Sequence, residues 1–337
     1  MIYDFVIFDD DVSIHCPDHF FEFCGPDTRY LGYSKAQTML VNFSLHRYSS
    51  NFIIRRLFKF SEFLQIKSKD KWSSTILVYD DIAFALLLKV LGYKNISLRI
   101  THPKDLERMP SFYVKITHNL LKHCIQDQNI STISPLLRRY YRKRFNLYTN
   151  FWPSKVAIDH QKCRFNKEPS AVYSGTLKGR GSINNIINIM DQLHQLYDLT
   201  NLYIVAPEIP NEIQSELSRV CKQKRYKIKC MEKVTQKQLI DIYNKVTFGV
   251  AYYDVNYNNY LKQNFPLKTL EYIKFGIVPV CNPINAHIYL KKQGLKMILT
   301  HYRKPELLEW VSNTDLNKIR DDNYDLLSYN QTLTISK

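Results

Sequence analysis

The sequence predicts an α/β protein of two domains, each built on a parallel sheet, and three observations carry that expectation. Short apolar runs alternate with helical patterns of roughly 10 to 15 residues, and parallel neighbours follow because each strand is reached by a crossover. The 337 residues suit about two domains at roughly 150 residues each. A polar, proline-bounded stretch at 153–170, PSKVAIDHQKCRFNKEPS, separates two alternating halves and suits a linker and hinge.

The second half is the more regular. AVYSGTL, from Ala171, is a buried-strand pattern ending at Gly175. After KGRGS, Ile183, Ile186, Ile187, Met190 and Leu193 recur at spacings of three and four, one face of a helix. NLYIVA (201–206) follows as a strand, NEIQSELSRVCKQK as a helix, YKIKCM as a strand, TQKQLIDIYNKV as a helix and TFGVAYY as a strand. PLKTLEYIKF then begins a helix near Pro266 that Gly276 stops, before the strand IVPVC. Proline in the first turn and glycine just past the last are the usual asymmetry of helix ends. Ligands of such sheets bind beyond the carboxyl ends of the strands.

The first half alternates less regularly. YDFVIFDD, TILVYDD, SLRITH and NLYTNF read as strands, with helices at 82–93, near 112–124, and at 135–145 after Ser134-Pro135. The expected domains are 1–160 and 161–320, with 321–337 a tail or a final helix packed back on the first domain. No internal repeat or low-complexity tract is visible.

Forty-five per cent hydrophobic residues supply two cores and exclude a disordered or collagen-like chain. Forty-seven Lys and Arg against 31 Asp and Glu leave a charge of +16, which calls for an anionic partner: nucleic acid, an acidic membrane surface or a phosphorylated substrate. The seven cysteines form no CxxC pair, so neither a zinc site nor a disulfide framework is expected and a reducing cytoplasm suits the chain. MIYDFVIFDDDVS shows no signal-peptide pattern, and IAFALLLKVLGY (82–93), interrupted by Lys89, is too short to span a bilayer. Any membrane contact is therefore expected to be peripheral, on the inner face. Two stretches of the first domain, 52–67 and 136–145, interleave basic and apolar residues, as a helix lying in an anionic headgroup layer would.

Two local constellations can carry chemistry. Three of the nine glycines fall between Gly175 and Gly181, at a strand-to-helix junction where free N–H groups favour an anion, and Lys178 and Arg180 share that turn. The spacing fits neither a P-loop nor the dinucleotide fingerprint. In FPLKTLEYIKFG, Lys268 and Glu271 are three apart and share a helix face. A lysine there can meet a phosphate and a glutamate can accept from a ribose diol; an ordinary solvated ion pair is the plain alternative.

PLKTLEYIKFGIVPV resembles the P-x-K-x-x-E-Y…G-x-P-V segment of GT-B glycosyltransferases of the GT4 type, and YSGTLKGRGSINNII resembles the glycine-rich basic turn opening their nucleotide-binding domain. The resemblance covers 171–282 and is thin over 1–160. It implies two Rossmann-like domains facing across a cleft, with a nucleotide-diphosphate sugar, a UDP-sugar by family frequency, held by the second. Gly175, Lys178 and Arg180 would meet the diphosphate, Lys268 phosphate or ribose, and Glu271 the ribose hydroxyls. Phe265, Pro266 and Leu267 would approach the donor through their backbone. No metal or other cofactor is implied. The activity implied is a glycosyltransferase of the hexosyltransferase class acting on a glycan or lipid-linked saccharide in surface polysaccharide synthesis. Where the retaining subset carries a second glutamate, eight positions before Glu271, this chain has Gln263, so retention and inversion both stay open.

In the first half, SLRITHP places His102 at a strand end, where the resemblance implies a histidine beside the transferring sugar. Asp11 and Asp81, from the pairs after YDFVIF and TILVY, are candidate bases for an inverting enzyme, although acids at strand ends are more often turn formers or helix caps. Two rivals remain. A metal-dependent GT-A transferase would need a D-x-D motif, but Asp9 to Asp11 come too early and VYDDIA lacks the intervening residue. A nucleic-acid-binding protein without transferase activity explains the charge, but no RNP, KH or zinc-finger pattern supports it, and no nucleic-acid partner is expected.

Overall fold

The computed structural model describes residues 3–11, 24–33, 43–45, 52–66, 73–101, 111–151, 168–177, 180–253, 267–300 and 313–329. The chain divides into two compact units, Met1–Lys155 and Val156–Lys337.

The first unit runs β1 (Tyr3–Asp11), β2 (Cys24–Tyr33), β3 (Phe43–Leu45), α1 (Phe52–Ile66), β4 (Thr75–Tyr79), α2 (Ile82–Val90), β5 (Asn95–Ile100), α3 (Ser111–Cys124), β6 (Ile130–Thr132), α4 (Pro135–Phe145) and β7 (Asn150–Phe151). Its seven strands lie in the order β3-β2-β1-β4-β5-β6-β7, and every pair is parallel. Phe5, Ile76, Val78, Leu98 and Ile100 of the strands meet Phe84, Leu88 and Leu137 of the helices in one buried cluster. Phe63 of α1 lies among three rings, 5.5 Å from Phe5, 6.2 Å from Phe84 and 5.4 Å from Tyr93. Helix α4 starts where expected, because the Ser134 hydroxyl accepts from the Leu137 N–H at 3.0 Å and Pro135 needs no partner for a missing donor. The strand expected at 146–151 is shorter: Asn146 takes the left-handed conformation that ends α4, and only Asn150–Phe151 pairs with β6.

The second unit runs β8 (Glu168–Ser174), α5 (Arg180–Tyr197), β9 (Asn201–Ala206), α6 (Asn211–Cys221), β10 (Lys227–Glu232), α7 (Gln236–Lys245), β11 (Val246–Ala251), α8 (Leu267–Lys274), β12 (Val278–Cys281), α9 (Asn285–Lys292), β13 (Ile298–Leu299) and α10 (Asn313–Tyr329). The strand order is β10-β9-β8-β11-β12-β13, again parallel throughout. Ile183, Ile186, Ile187, Met190 and Leu193 all enter the core, as their spacing requires. Thr235 and Gln238 close a reciprocal capping box on α7. Gly276, at φ 60°, ends α8 in the left-handed conformation that glycine adopts without strain. The closing segment is helical from Asn313 to Tyr329: Leu316 and Ile319 join the second core, and Asn323 bonds both backbone groups of Lys296 at 2.7 and 2.8 Å. No described helix is long and apolar enough to cross a membrane.

Candidate active site

Each sheet changes its direction of winding once, between β1 and β4 in the first unit and between β8 and β11 in the second. A crevice opens at such a point, beyond the carboxyl ends of the two strands, because their onward connections leave to opposite sides.

In the second unit five elements converge there. Strand β8 ends at Ser174, and the Gly175 N–H continues its ladder to the Val205 carbonyl at 2.9 Å. Strand β11 contains Gly249, and a Cβ there would lie 2.4 Å from the Tyr272 ring. Only glycine at that strand position lets Tyr272 of α8 lie against the sheet. So seated, the Tyr272 hydroxyl accepts from the Ser174 N–H at 3.1 Å. The Ser174 hydroxyl lies 2.7 Å from that of Tyr243 on α7. Lys268, in the first turn of α8, donates to Tyr243 at 3.4 Å and to Glu271 at 2.6 Å. Across the crevice Asn185 of α5 donates to the Tyr252 hydroxyl, just beyond β11, at 2.8 Å.

The charged pair is reachable while its supports are not. The Lys268 and Glu271 side chains keep 28% and 35% of their surface exposed, whereas Tyr243 and Tyr272 have none. Burial first, and the Glu271 carboxylate second, raise the Tyr243 phenol well above its ordinary pKa. Burial pushes Tyr173 up to about 12 against the opposing charge of Lys268. These hydroxyls therefore stay protonated and act as fixed neutral dipoles. Beneath α8, the His287 Nδ1 faces the Asn282 carbonyl at 2.7 Å and its Nε2 faces the Thr269 hydroxyl at 3.0 Å. A carbonyl can only accept, so Nδ1 carries the proton and Nε2 accepts from Thr269. Burial lowers the His287 pKa to about 4. Asn282 also bonds both backbone groups of Tyr253, at 3.0 and 2.7 Å, fixing the chain as it leaves β11.

The pairing of Lys268 with Glu271 across one helix face is present as the spacing required. Arg180 and Leu267 are the first residues of α5 and α8. Lys178, Phe265, Pro266 and His102 lie outside the described residues, and Asp11 is the last residue of β1. Sequence reasoning missed Ser174, Tyr243, Tyr272, Thr269, Asn282 and His287. One signal could have found Tyr272, since a glycine inside a buried strand run, Gly249 of TFGVA, marks a close approach.

Asp81 needs a correction. Its Oδ1 accepts from the Phe84 N–H at 3.0 Å, capping α2, and its Oδ2 accepts from Lys59 at 2.6 Å, with both side chains fully buried. With no exposed surface and both oxygens bonded, this carboxylate acts as a helix cap and an ion-pair partner, the commoner role of an acid at a strand end. Lys59 is the complementary surprise: within the basic stretch 52–67 it points inward, over the Phe84 ring at 5.3 Å. The neighbouring Asp80, at φ 57°, accepts from the Thr101 N–H at 2.6 Å and from the Thr101 hydroxyl. Among the described residues no three His, Cys, Asp or Glu side chains are grouped to hold a metal ion.

Protein-family models and curated protein sequences show no match to this chain. Solved structures do. An α,α-trehalose-phosphate synthase (UDP-forming) from Burkholderia vietnamiensis superposes with a TM-score of 0.63 at 13% identity, over 98% of this chain and 96% of that one. Anabaena HepE, solved with UDP and glucose, gives 0.62 at 10% identity, over 99% and 92%. A trehalose 6-phosphate synthase from Burkholderia multivorans gives 0.59 at 15% identity, over 97% and 91%. With two parallel α/β units, each carrying a switch point, and a likeness that runs through both, the chain has the GT-B fold.

Proposed function

We propose that this protein is a glycosyltransferase that takes a hexose from a nucleotide-diphosphate sugar, a UDP-sugar first, and passes it to a glycan or lipid-linked saccharide in surface polysaccharide synthesis. The observation that carries this reading is the accessible Lys268–Glu271 pair in the first turns of α8, beside the switch point of the second sheet. Fold neighbours whose descriptions name UDP support the choice of base.

Each residue has work to do there. Glu271 can accept from the two ribose hydroxyls, releasing Lys268 to a phosphate oxygen. Helices α5 and α8 follow β8 and β11, so their amino ends bring positive dipole ends to the same crevice, where Arg180, with Lys178, would add positive charge. As the bond to the sugar breaks, negative charge grows on the departing diphosphate, and these preorganised cations and dipoles stabilise it without a metal ion. The protonated Tyr243 and Tyr272 hold α8 in register with β8 and so aim Lys268. In the first unit, His102 remains a candidate to stand beside the transferring sugar, and Asp11 to receive the acceptor's proton in an inverting reaction.

The test is a thermal-shift panel of UDP, GDP, CDP, ADP and dTDP, each with EDTA. A ligand at about 100 times its Kd adds about 2.7 kcal/mol of stability. One diphosphate is expected to stabilise the wild type, and Lys268→Ala and Glu271→Ala to weaken its Kd roughly 10- to 100-fold with unchanged circular dichroism. Absence of any response in the wild type, or equal affinity in both variants, overturns the reading.

A further inference from the structure

Helices α1, α2, α3 and α4 each carry the chain one way along the first sheet, from β3 to β4, β5, β6 and β7 in turn. Right-handed crossovers therefore place all four on one face. Ring contacts confirm neighbours in the layer: Phe63 of α1 lies 6.2 Å from Phe84 of α2, and His118 of α3 stacks 4.0 Å from Phe145 of α4.

The outer side of this layer combines two features. Of the eleven large apolar side chains exposed among the described residues, eight project from α1, α2 and α3. Phe112, Ile116 and Leu120, at 65%, 54% and 48% exposure, stand four apart and form one stripe along α3. Val90, at the end of α2, is 81% exposed. The same four helices contain eleven Lys and Arg against the single acid Glu62. The six described helices of the second unit contain ten against nine. A cavity of about 640 Å³ opens where α2 and α3 end, lined by Lys89, Lys94, Lys122 and His123 and by no acidic side chain. It adjoins the amino ends of β5 and β6, remote from the carboxyl ends where the first sheet has its switch point.

We propose that this helical face docks on an anionic phospholipid bilayer. The stripe of α3 enters the headgroup layer, the exposed arginines of α4 meet lipid phosphates, and the cavity takes a headgroup. Charge complementarity selects that occupant. A second copy of the chain would bring two surfaces of the same strong positive charge together, since a twofold interface pairs a patch with itself. Nucleic acid would satisfy the arginines but leave aliphatic Ile116, Leu120 and Val90 without a role, because its bases stack on aromatic rings. An interfacial helix layer uses both the apolar and the basic side chains. The inference extends the proposed acceptor class but does not depend on it, since vesicle binding needs neither donor nor transfer.

The test is co-sedimentation of the full chain with vesicles of phosphatidylcholine alone and of phosphatidylcholine mixed with phosphatidylglycerol. Wild type is expected to sediment with the anionic vesicles only. The substitutions Phe112→Ser with Ile116→Ser and Leu120→Ser, and separately Arg138→Glu with Arg139→Glu, are each expected to weaken binding about tenfold or more. Lys291→Glu with Lys292→Glu, an equal charge change in the second unit, is expected to leave it unchanged. All altered side chains are exposed, and an unchanged melting temperature and nucleotide response in each variant show that the fold and the donor site are intact. The proposal is overturned if wild type ignores anionic vesicles, or if neither first-unit variant differs from the control. It is equally overturned if those variants instead abolish oligonucleotide binding, or dissociate a dimer seen by light scattering.

Discussion

Two lysine–carboxylate pairs lie near the two switch points of this molecule, both 2.6 Å apart, and they do opposite things. Lys59 and Asp81 in the first unit are wholly buried; Lys268 and Glu271 in the second keep about a third of their surface in solvent. Distance does not distinguish them. Access and the remaining bonds do. The Asp81 carboxylate also caps a helix, so releasing it would strand a charge in the core and an amide without an acceptor. Glu271 can give up Lys268 to a ligand with little loss, because a half-exposed pair contributes at most about 1 kcal/mol. A charged pair at the mouth of an α/β sheet is a functional candidate only when it can exchange partners.

The first way to break this contrast is Asp81→Asn. If the pair is structural, Asn takes away the carboxylate charge that meets Lys59 at 2.6 Å in the core, and urea melts should show a loss of about 3–5 kcal/mol. The double substitution Lys59→Met with Asp81→Leu should recover much of that loss, since apolar side chains avoid the desolvation cost of two ions. Transfer activity abolished by Asp81→Asn with an unchanged melt would return Asp81 to the list of bases.

A smaller effect sharpens the comparison through pH. Each unit buries a histidine whose Nδ1 lies 2.7 Å from a backbone carbonyl, His118 on Val114 and His287 on Asn282. Burial lowers the pKa of both. His287 titrates near 4 when folded, against about 6.5 for a free histidine. Between those values the unfolded chain binds the extra proton and the folded chain does not, so stability is full above about pH 6.5 and falls towards pH 4. The gap amounts to about 3 kcal/mol, lost over that window and constant below it. Urea melts at pH 7 and pH 4 should show this loss in wild type, and His287→Gln should remove that part of the slope. An identical slope in the variant would show that the acid sensitivity arises elsewhere.

How much of this was legible in the sequence depends on the range of each interaction. Strands β8, β9, β11 and β12 read clearly, because buried parallel strands are continuous apolar runs bounded by turns. Strand β2 did not: CGPDTRYLGY contains glycine, proline and aspartate, and it is held by pairing with β1 and β3. The Lys268–Glu271 pair was legible because it is local, three residues on one helix that proline and glycine delimit. The hydroxyl network beneath it was not, since Ser174 meets Tyr243 across 69 positions and the Tyr272 hydroxyl across 98. The burial of Lys59 was not legible for a third reason. Its spacing of four from Phe63 put it on the buried face, but a basic residue in a basic stretch is expected outward.

The smallest expected effect tests whether that network serves the site or only the fold. Tyr243→Phe removes one hydroxyl and leaves the ring packed 5.7 Å from Tyr272 and 5.2 Å from Phe275. Ser174 keeps the Tyr272 hydroxyl at 3.3 Å, so stability should fall by only about 1 kcal/mol. Lys268, however, loses the neutral partner that holds it beside Glu271. Nucleotide affinity by calorimetry should therefore weaken about fivefold, between wild type and Lys268→Ala. The buried pair of the first unit offers no such gradation, because neither of its side chains has any exposed surface. If Tyr243→Phe lowers the melting temperature and leaves nucleotide affinity untouched, the phenol belongs to the core alone, and Lys268 is aimed by its helix and its carboxylate without help from β8.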